Sequence, residues 1–146
     1  MQGKVLALYI TKNDAQKTRE MPTKIQLDEK GIIGDKFYAK DQQRAVLITA
    51  IQSYELTDKN GISLNNGALG ENILIDINPY HLLPGERLKI GNTILEITQN
   101  CTLCKGLSAV NAKLPKLLKN DRGIFAKVIN GPSLIKKLDT VEFFNH

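Results

Sequence analysis

The sequence predicts one mainly β domain of the mostly antiparallel barrel type, with a few short helices. Many short apolar segments rich in β-forming residues alternate with turns that contain glycine and asparagine, and only two segments show helical spacing. The chain of 146 residues is long enough to bury about two thirds of its unfolded surface in one core. Because no repeat, low-complexity segment or linker divides it, we expect a single domain over residues 1–146.

The first half of the chain contains four predicted strands and one predicted helix. The third strand is a continuous apolar run, which is typical of a buried strand. The helix is indicated by Ile51, Tyr54 and Leu56 on one face and ends at Asn60-Gly61. The predicted strands are 4–11, 22–27, 44–49 and 73–77, the helix is 50–59, and glycine-rich turns lie at 31–35 and 67–72.

The second half contains the clearest local signal, a hairpin formed by residues 82–90 and 93–98. Its connection, Gly91-Asn92, is a favoured hairpin dipeptide. Residues 112–119, with Pro115 near the start, predict a short helix. Two further apolar segments, 124–129 and 140–144, predict a closing pair of strands.

The composition excludes several classes of protein. No apolar run approaches the roughly 20 residues of a membrane span, and the N-terminus lacks the features of a signal peptide, so we expect a cytoplasmic protein without membrane contact. The net charge is +5, but the basic residues are scattered along the sequence and aromatic residues make up only 5%. We therefore expect no nucleic-acid binding and a mostly solvated charged surface. The surplus of positive charge would suit a small anionic ligand that carries phosphate.

Both cysteines of the chain, Cys101 and Cys104, lie where the second strand of the hairpin ends. A thioredoxin-like redox pair requires a βαβ pattern that the sequence lacks, and a zinc site requires four ligands, for which only His81 and His146 are available. Three interpretations stay open: a pair of buried thiols, a functional thiol, and, least favoured, a small zinc or redox site that uses both cysteines. A neighbouring cation such as Lys105 lowers the pKa of a thiol, which favours a reactive thiolate here.

The glycine-rich turns contain further polar candidates. Asp35 ends GIIGD, where its carboxylate either accepts backbone N–H groups or faces a ligand. Arg44 opens an apolar strand, where it either pairs with an acid or binds phosphate. Glu71 and Asn72 end GALGEN, where they either fix the loop or bind a heterocycle. The residues alone leave these alternatives open.

Taken together and in order, these segments resemble the MOSC domain, named for the C-terminal domain of molybdenum cofactor sulfurase. The resemblance is to short, stand-alone bacterial members and runs through nearly the whole chain. No single segment is specific, but the ordered set is. The segments are GIIGD (31–35), RAVLI (44–48), GALGENILI (67–75), LLPGERLKIGNTILEITQ (82–99), the cysteine that follows, and RGIFAKVINGP (122–132).

The resemblance implies a barrel that binds molybdenum cofactor (molybdopterin) or a precursor of it. The family's cysteine, which is a molybdenum ligand or a sulfur carrier, falls on Cys104, and Cys101 is an extra thiol. Many relatives carry His where this chain has Phe37, and Leu138 replaces a family glycine. The cofactor is a pterin dithiolene that ends in a phosphate, so it needs cations and hydrogen-bonding partners. The candidates for the phosphate are Arg44, Lys105 and Arg122, and those for the pterin are Glu71, Asn72 and Asn100.

The resemblance implies a function in cofactor maturation, sulfuration or delivery, with sulfur-transferase activity as one expectation. A second expectation is molybdenum-dependent reduction of N-hydroxylated compounds when an electron donor is supplied. The family is also associated with pyridoxal phosphate. A second hypothesis is an adaptor module without chemistry of its own, which docks on a cofactor-synthesis enzyme or a molybdoenzyme. The two hypotheses differ in whether Cys104 is needed.

Overall fold

The computed structural model describes residues 2–102 and 107–144. Helices are few and short, and α1 is the only described helix with more than one or two turns. A single 3₁₀ turn covers Gln42–Arg44. The helices are α1 (Ile51–Lys59), α2 (Leu107–Val110) and α3 (Leu114–Leu117), and the strands are β1 (Gln2–Leu8), β2 (Ile10–Thr11), β3 (Arg19–Glu20), β4 (Lys24–Asp28), β5 (Gly31–Ile32), β6 (Val46–Ala50), β7 (Ile73–Ile75), β8 (Arg87–Ile90), β9 (Thr93–Asn100), β10 (Ile124–Val128), β11 (Ser133–Lys136) and β12 (Thr140–Phe143).

Seven of the strands form a closed barrel in the order β1, β12, β8, β9, β10, β6, β7, and β7 pairs with β1 to close it. The pairing is antiparallel throughout, except that β6 and β7 run parallel. A parallel pair needs a crossover, and the segment that contains α1 provides it. Two small sheets lie outside the barrel, one with the order β11, β4, β5 and one formed by β2 and β3.

The burial pattern explains why these segments form strands. Along β9 buried residues alternate with partly exposed ones, as expected for a strand with one face on the core. All five residues of β6 and all three of β7 are buried. Strand β7 has the barrel interior on one face and the helices on the other, because its Leu74 packs in a second cluster with Tyr54 of α1 and Leu114 of α3. On the outer face of β6, Leu47 belongs instead to a small third cluster. The core therefore has two main parts, inside the barrel and between the barrel and the helices, and one small cluster beside β6.

The structure confirms the predicted mainly β barrel and corrects several details. The segments 124–129 and 140–144 were expected to pair with each other, and this is wrong: β10 pairs with β6 and β9, whereas β12 pairs with β1 and β8. The strand after Arg44 begins at Val46, and Arg44 itself ends the 3₁₀ turn. Within the helix predicted at 112–119 only α3 is helical. Strand β11 was not predicted.

In the described part of the chain, we find no helix with the length and apolar character that a membrane span requires.

Candidate functional site

A cavity of about 920 Å³ opens where strands of the barrel meet the small β2–β3 sheet. Its walls come from segments far apart in the sequence, including the turn after β5, the loop before β7 and the chain that leaves β9. Closure of the barrel brings these segments together. The described residues that line it are Thr11, Lys17, Arg19, Lys36, Phe37, Lys40, Asp41, Arg44, Leu47, Gly70, Asn72, Cys101, Arg122 and Phe125.

The cavity concentrates the positive charge of the protein. Six of the chain's 20 lysines and arginines are among the described lining residues, against one of its 15 aspartates and glutamates. The rest of the chain has 14 basic and 14 acidic residues, so the lining residues account for the whole formal charge of +5. A concave surface lined by one sign of charge raises the local concentration of the opposite ion. The charges that are scattered in the sequence thus converge on a site suited to an anion.

The deeper wall of the cavity is apolar. Leu47, Cys101 and Phe125 pack together there, with exposed fractions of 7%, 3% and 8%. Cys101 is held by its own N–H, which donates to the Gly123 carbonyl oxygen at 2.9 Å. The cavity therefore combines a cationic rim with an apolar wall that includes a thiol.

Arg122 presents an unpaired donor group. Its Nε and Nη2 donate to the Leu69 carbonyl oxygen at 3.4 and 3.2 Å, and its own carbonyl accepts a hydrogen bond from Thr49 Oγ1 at 2.8 Å. Its Nη1 is buried and has no hydrogen-bond partner within residues 2–102 and 107–144. Because buried donors are nearly always paired, an orphaned guanidinium nitrogen beside a cavity indicates a place for an anionic acceptor.

Arg44 and Arg19, the other two arginines of the lining, differ from Arg122. The Nε of Arg44 lies 3.9 Å from Asp41 Oδ2, and both side chains are about half exposed, so this ion pair is weak. Arg19 donates from Nη2 to the carbonyl oxygens of Gly67 and Glu71, both at 2.9 Å. Arg19 thus fixes the loop before β7, whereas Arg44 stays free to meet a ligand.

Asn72 positions the wall of the cavity through its amide. Its Oδ1 accepts the Leu47 N–H at 3.0 Å, and its Nδ2 donates to the Tyr9 carbonyl oxygen at 3.2 Å and to Asp35 Oδ1 at 3.4 Å. The side chain is buried, yet it borders the cavity. Asp35 also accepts the Thr11 N–H at 2.8 Å, so its carboxylate fixes the turn, which is one of the two roles expected for it.

Glu71 is fully buried, and its side chain is not among those that line the cavity. Its carboxylate accepts from Tyr54 Oη at 2.7 and 2.8 Å and from the Gly67 N–H at 3.0 Å. Burial raises the pKa of Glu71, and the hydrogen bond from Tyr54 partly offsets that rise. Burial and the adjacent carboxylate raise the pKa of Tyr54 as well. These contacts give Glu71 the loop-fixing role, rather than a place beside a ligand.

The other predicted site residues have different outcomes. The structure brings Arg44, Asn72 and Arg122 together on the cavity, whereas Asn100 is an exposed residue at the end of β9 that is not among the lining residues. Cys104 and Lys105 lie outside the described residues, so their predicted roles stay predictions. No three histidine, cysteine or acidic side chains form a metal-binding group in the part that is described.

Sequence reasoning missed most of the lining, because only three of its 14 described residues, Arg44, Asn72 and Arg122, were predicted site residues. Lys17 and Arg19 fall in a stretch interpreted as an exposed polar loop, and Lys36, Phe37 and Lys40 follow the GIIGD turn. The spacing of Lys36, Lys40 and Arg44 at intervals of four is the only local signal, and it does not show that these residues face the same cavity as Arg122.

Comparisons with known proteins agree with this architecture. The YuaD protein from Bacillus subtilis has a solved structure that matches with a TM-score of 0.77 at 19% identity, over 98% of this chain and 96% of that one. YiiM from Geobacillus stearothermophilus matches with a TM-score of 0.74 at 12% identity, over 98% of this chain and 75% of that one. YiiM from Escherichia coli matches with a TM-score of 0.71 at 18% identity, over 100% of this chain and 71% of that one. No curated protein sequence matches.

The family comparison covers most of the sequence. The model of the MOSC domain matches residues 18–142, which include every described lining residue except Thr11 and Lys17. The barrel fold is shared along the whole chain with the solved structures above. The chain therefore belongs to the MOSC domain family.

Proposed function

We propose that the cationic cavity binds molybdenum cofactor, or a precursor of it, during maturation, sulfuration or delivery of the cofactor. The MOSC domain family is associated with this cofactor. The observation that carries the proposal is the charge distribution, because the surplus positive charge of the chain lies on the lining of one cavity. A ligand that is both anionic and partly apolar fits such a site.

The phosphate end of the ligand fits the cationic rim. Arg122 offers the buried Nη1, which lacks an acceptor among the described residues, and guanidinium groups bind phosphate through strong charge-assisted hydrogen bonds. Arg44, Lys36 and Lys40 add positive charge, and among the described residues the only acidic partner of the three is Asp41, which forms a weak pair with Arg44. These residues supply the binding energy and hold the anionic end at a defined place.

The heterocyclic end fits the apolar wall. Leu47, Cys101 and Phe125 provide a surface of low polarity, and Asn72 fixes the backbone beside it. When bound, the cofactor supplies a redox-active molybdenum atom that needs a soft or anionic ligand. The residues of this chain orient the cofactor and exclude water from one side of it.

Within this proposal, Cys104 is the metal ligand or, alternatively, the carrier of a persulfide sulfur. It follows Cys101, a residue of the cavity wall, by three positions in the sequence. The thiolate is the form that binds soft metals and carries sulfur, and the neighbouring Lys105 is of the type that favours it. Cys101 is buried against Leu47 and Phe125, so we assign it a packing role in the wall.

The proposal predicts different effects for the two cysteines. In protein made by a host that synthesises molybdenum cofactor, Cys104→Ser is expected to lose bound molybdenum and pterin, or the persulfide. Cys101→Ser removes a packed thiol, and is expected to retain most of the cofactor. The measurement is elemental analysis by mass spectrometry, combined with the fluorescence of the oxidised pterin and a persulfide assay.

Equal losses from the two substitutions would contradict the assignment to Cys104. Wild-type protein with neither molybdenum, pterin nor persulfide would contradict the proposed function and favour the adaptor hypothesis. In that case Cys104→Ala protein is expected to retain the same protein partner as the wild type.

A further inference from the structure

Phe37 is an aromatic residue that the fold keeps exposed on the wall of the cationic cavity. Half of its side chain is exposed (50%), whereas Phe125, the other described aromatic residue of the lining, is 8% exposed. An aromatic side chain exposed on the wall of a cavity is available for contact with a ligand, and aromatic residues commonly line ligand pockets. The packing of the described core does not account for this position.

The backbone around Phe37 is held firmly. Its N–H donates to Asp35 Oδ2 at 3.1 Å, and its carbonyl oxygen accepts the Lys40 N–H at 3.1 Å. Asp35 is itself buried and bound by the Thr11 N–H and the Asn72 amide, both on the cavity wall. The turn that ends GIIGD therefore holds the backbone of Phe37 in a fixed relation to the wall of the cavity.

A cation also lies over the ring. Lys36 Nζ is 4.8 Å from the centroid of Phe37, within the range of a cation–π contact. The Lys36 backbone is anchored by its N–H, which donates to the Thr11 carbonyl oxygen at 2.7 Å. An aromatic ring and an ammonium group are thus adjacent at the cavity. This arrangement suits a ligand with a flat ring and a nearby anionic group.

We infer that Phe37 is a specificity-determining residue that stacks against the flat, conjugated ring of the ligand. The inference rests on the proposed function, and it deepens it by naming the feature that the site selects. The cations bind any small phosphate, whereas the exposed ring favours a phosphate attached to a planar heterocycle. Stacking on an aromatic side chain requires a π-face on the ligand. It therefore distinguishes a phosphate attached to a planar ring from a phosphate without a ring, even when both have the same charge.

The test compares two probes that differ in the ring. One is the oxidised, phosphate-bearing pterin, and the other is glycerol 3-phosphate, which has no ring. Binding of each is measured by titration calorimetry with the full chain. We expect Phe37→Ala to weaken binding of the pterin phosphate by about tenfold or more. Its affinity for glycerol 3-phosphate is expected to change by less than about twofold.

Two further variants serve as controls. Phe37→Tyr keeps the ring and is expected to bind the pterin phosphate like the wild type. Phe144→Ala removes another partly exposed phenylalanine that is not among the described lining residues, and is expected to leave both affinities unchanged.

The outcomes separate this inference from the proposed function. Equal affinity of Phe37→Ala and wild type for the pterin phosphate would overturn the stacking role alone. Loss of affinity for both probes in Phe37→Ala would also overturn it, because the residue would then act on the anion site. A wild-type protein that binds glycerol 3-phosphate but not the pterin would overturn both the inference and the assignment of the cofactor. Failure of the wild type to bind either probe would overturn both, and the anion site as well.

Discussion

Replacing Arg122 with glutamine is expected to weaken binding of a phosphate monoester by roughly tenfold or more, since hydrogen bonds to charged groups contribute about 1.5–3 kcal/mol. Arg122 is the one cation of the described lining whose buried nitrogen, Nη1, lacks a partner among the described residues. The substitution removes the positive charge and the Nη1 donor, which has no hydrogen-bond partner among the described residues. Arg122→Lys keeps the charge but loses the planar fork, so an intermediate loss is expected.

The measurement is calorimetric titration with glycerol 3-phosphate, in parallel with the midpoint of urea unfolding. Arg87→Gln is the matched control, because Arg87 lies on β8, pairs with Glu96 at 3.1 Å and does not line the cavity. Arg87→Gln is expected to bind phosphate like the wild type. Equal effects of the two substitutions on affinity would mean that phosphate binding depends only on the overall charge of the protein. The assignment of Arg122 to the phosphate site would then be wrong.

Replacing Tyr54 with phenylalanine is expected to lower the free energy of unfolding by about 2–4 kcal/mol at neutral pH. The Tyr54 hydroxyl donates to the buried Glu71 carboxylate and accepts the N–H groups of Gly67 and Leu69 at 2.9 and 3.2 Å. Without it, a carboxylate with no exposed surface keeps only backbone donors among the described residues, the Gly67 N–H at 3.0 Å and its own N–H. Removing a neutral donor from a buried carboxylate leaves that carboxylate poorly compensated, which makes such a substitution costly.

The loss is also expected to depend on pH. Burial raises the pKa of Glu71 in the folded protein, and the Tyr54 hydrogen bond limits that rise. A carboxyl whose pKa is higher in the folded than in the unfolded protein contributes to the free energy of unfolding. This contribution is complete below the unfolded-state pKa and is lost as pH rises through the folded-state pKa. Removing the hydroxyl raises the folded pKa further. The destabilisation by Tyr54→Phe is therefore expected to be larger near pH 8 than near pH 5. Both pH values lie above the ordinary pKa of a glutamate, about 4.3.

Urea unfolding at both pH values measures this effect. Tyr38→Phe is the matched control, since Tyr38 donates to the carboxylate of Asp28, and neither residue is fully buried. Its effect on the free energy of unfolding is expected to be much smaller. A loss from Tyr54→Phe no larger than that from Tyr38→Phe would show that Glu71 does not depend on the hydroxyl.

The fold was predictable because its signals are local. The β8–β9 hairpin was recognised from the Gly91-Asn92 turn and the apolar alternation on either side, and α1 was recognised from its helical spacing. The pairing of β12 with β1, at the two ends of the chain, has no local signal, and the four-residue strand β11 is too short to give one. Closure of a barrel depends on long-range pairing, which sequence patterns do not specify.

The candidate site was predictable only in part. Arg44, Asn72 and Arg122 came from the resemblance to a family, and the structure places all three on one cavity. Glu71 could not be distinguished from a ligand-binding residue, because its partner, Tyr54, lies 17 residues earlier on a different element. Lys17 and Phe37 carry no local signal in the sequence, and only the packing of the two small sheets beside the barrel brings them to the same cavity as Arg122.

The most direct test of the central claim, that the cationic cavity is the cofactor site, is a crystal structure of cofactor-loaded protein with diffraction data collected on both sides of the molybdenum absorption edge. We expect one anomalous peak inside the cavity, near the wall formed by Asn72, Cys101 and Arg122. A peak at any other place, in crystals shown by elemental analysis to contain molybdenum, would contradict it.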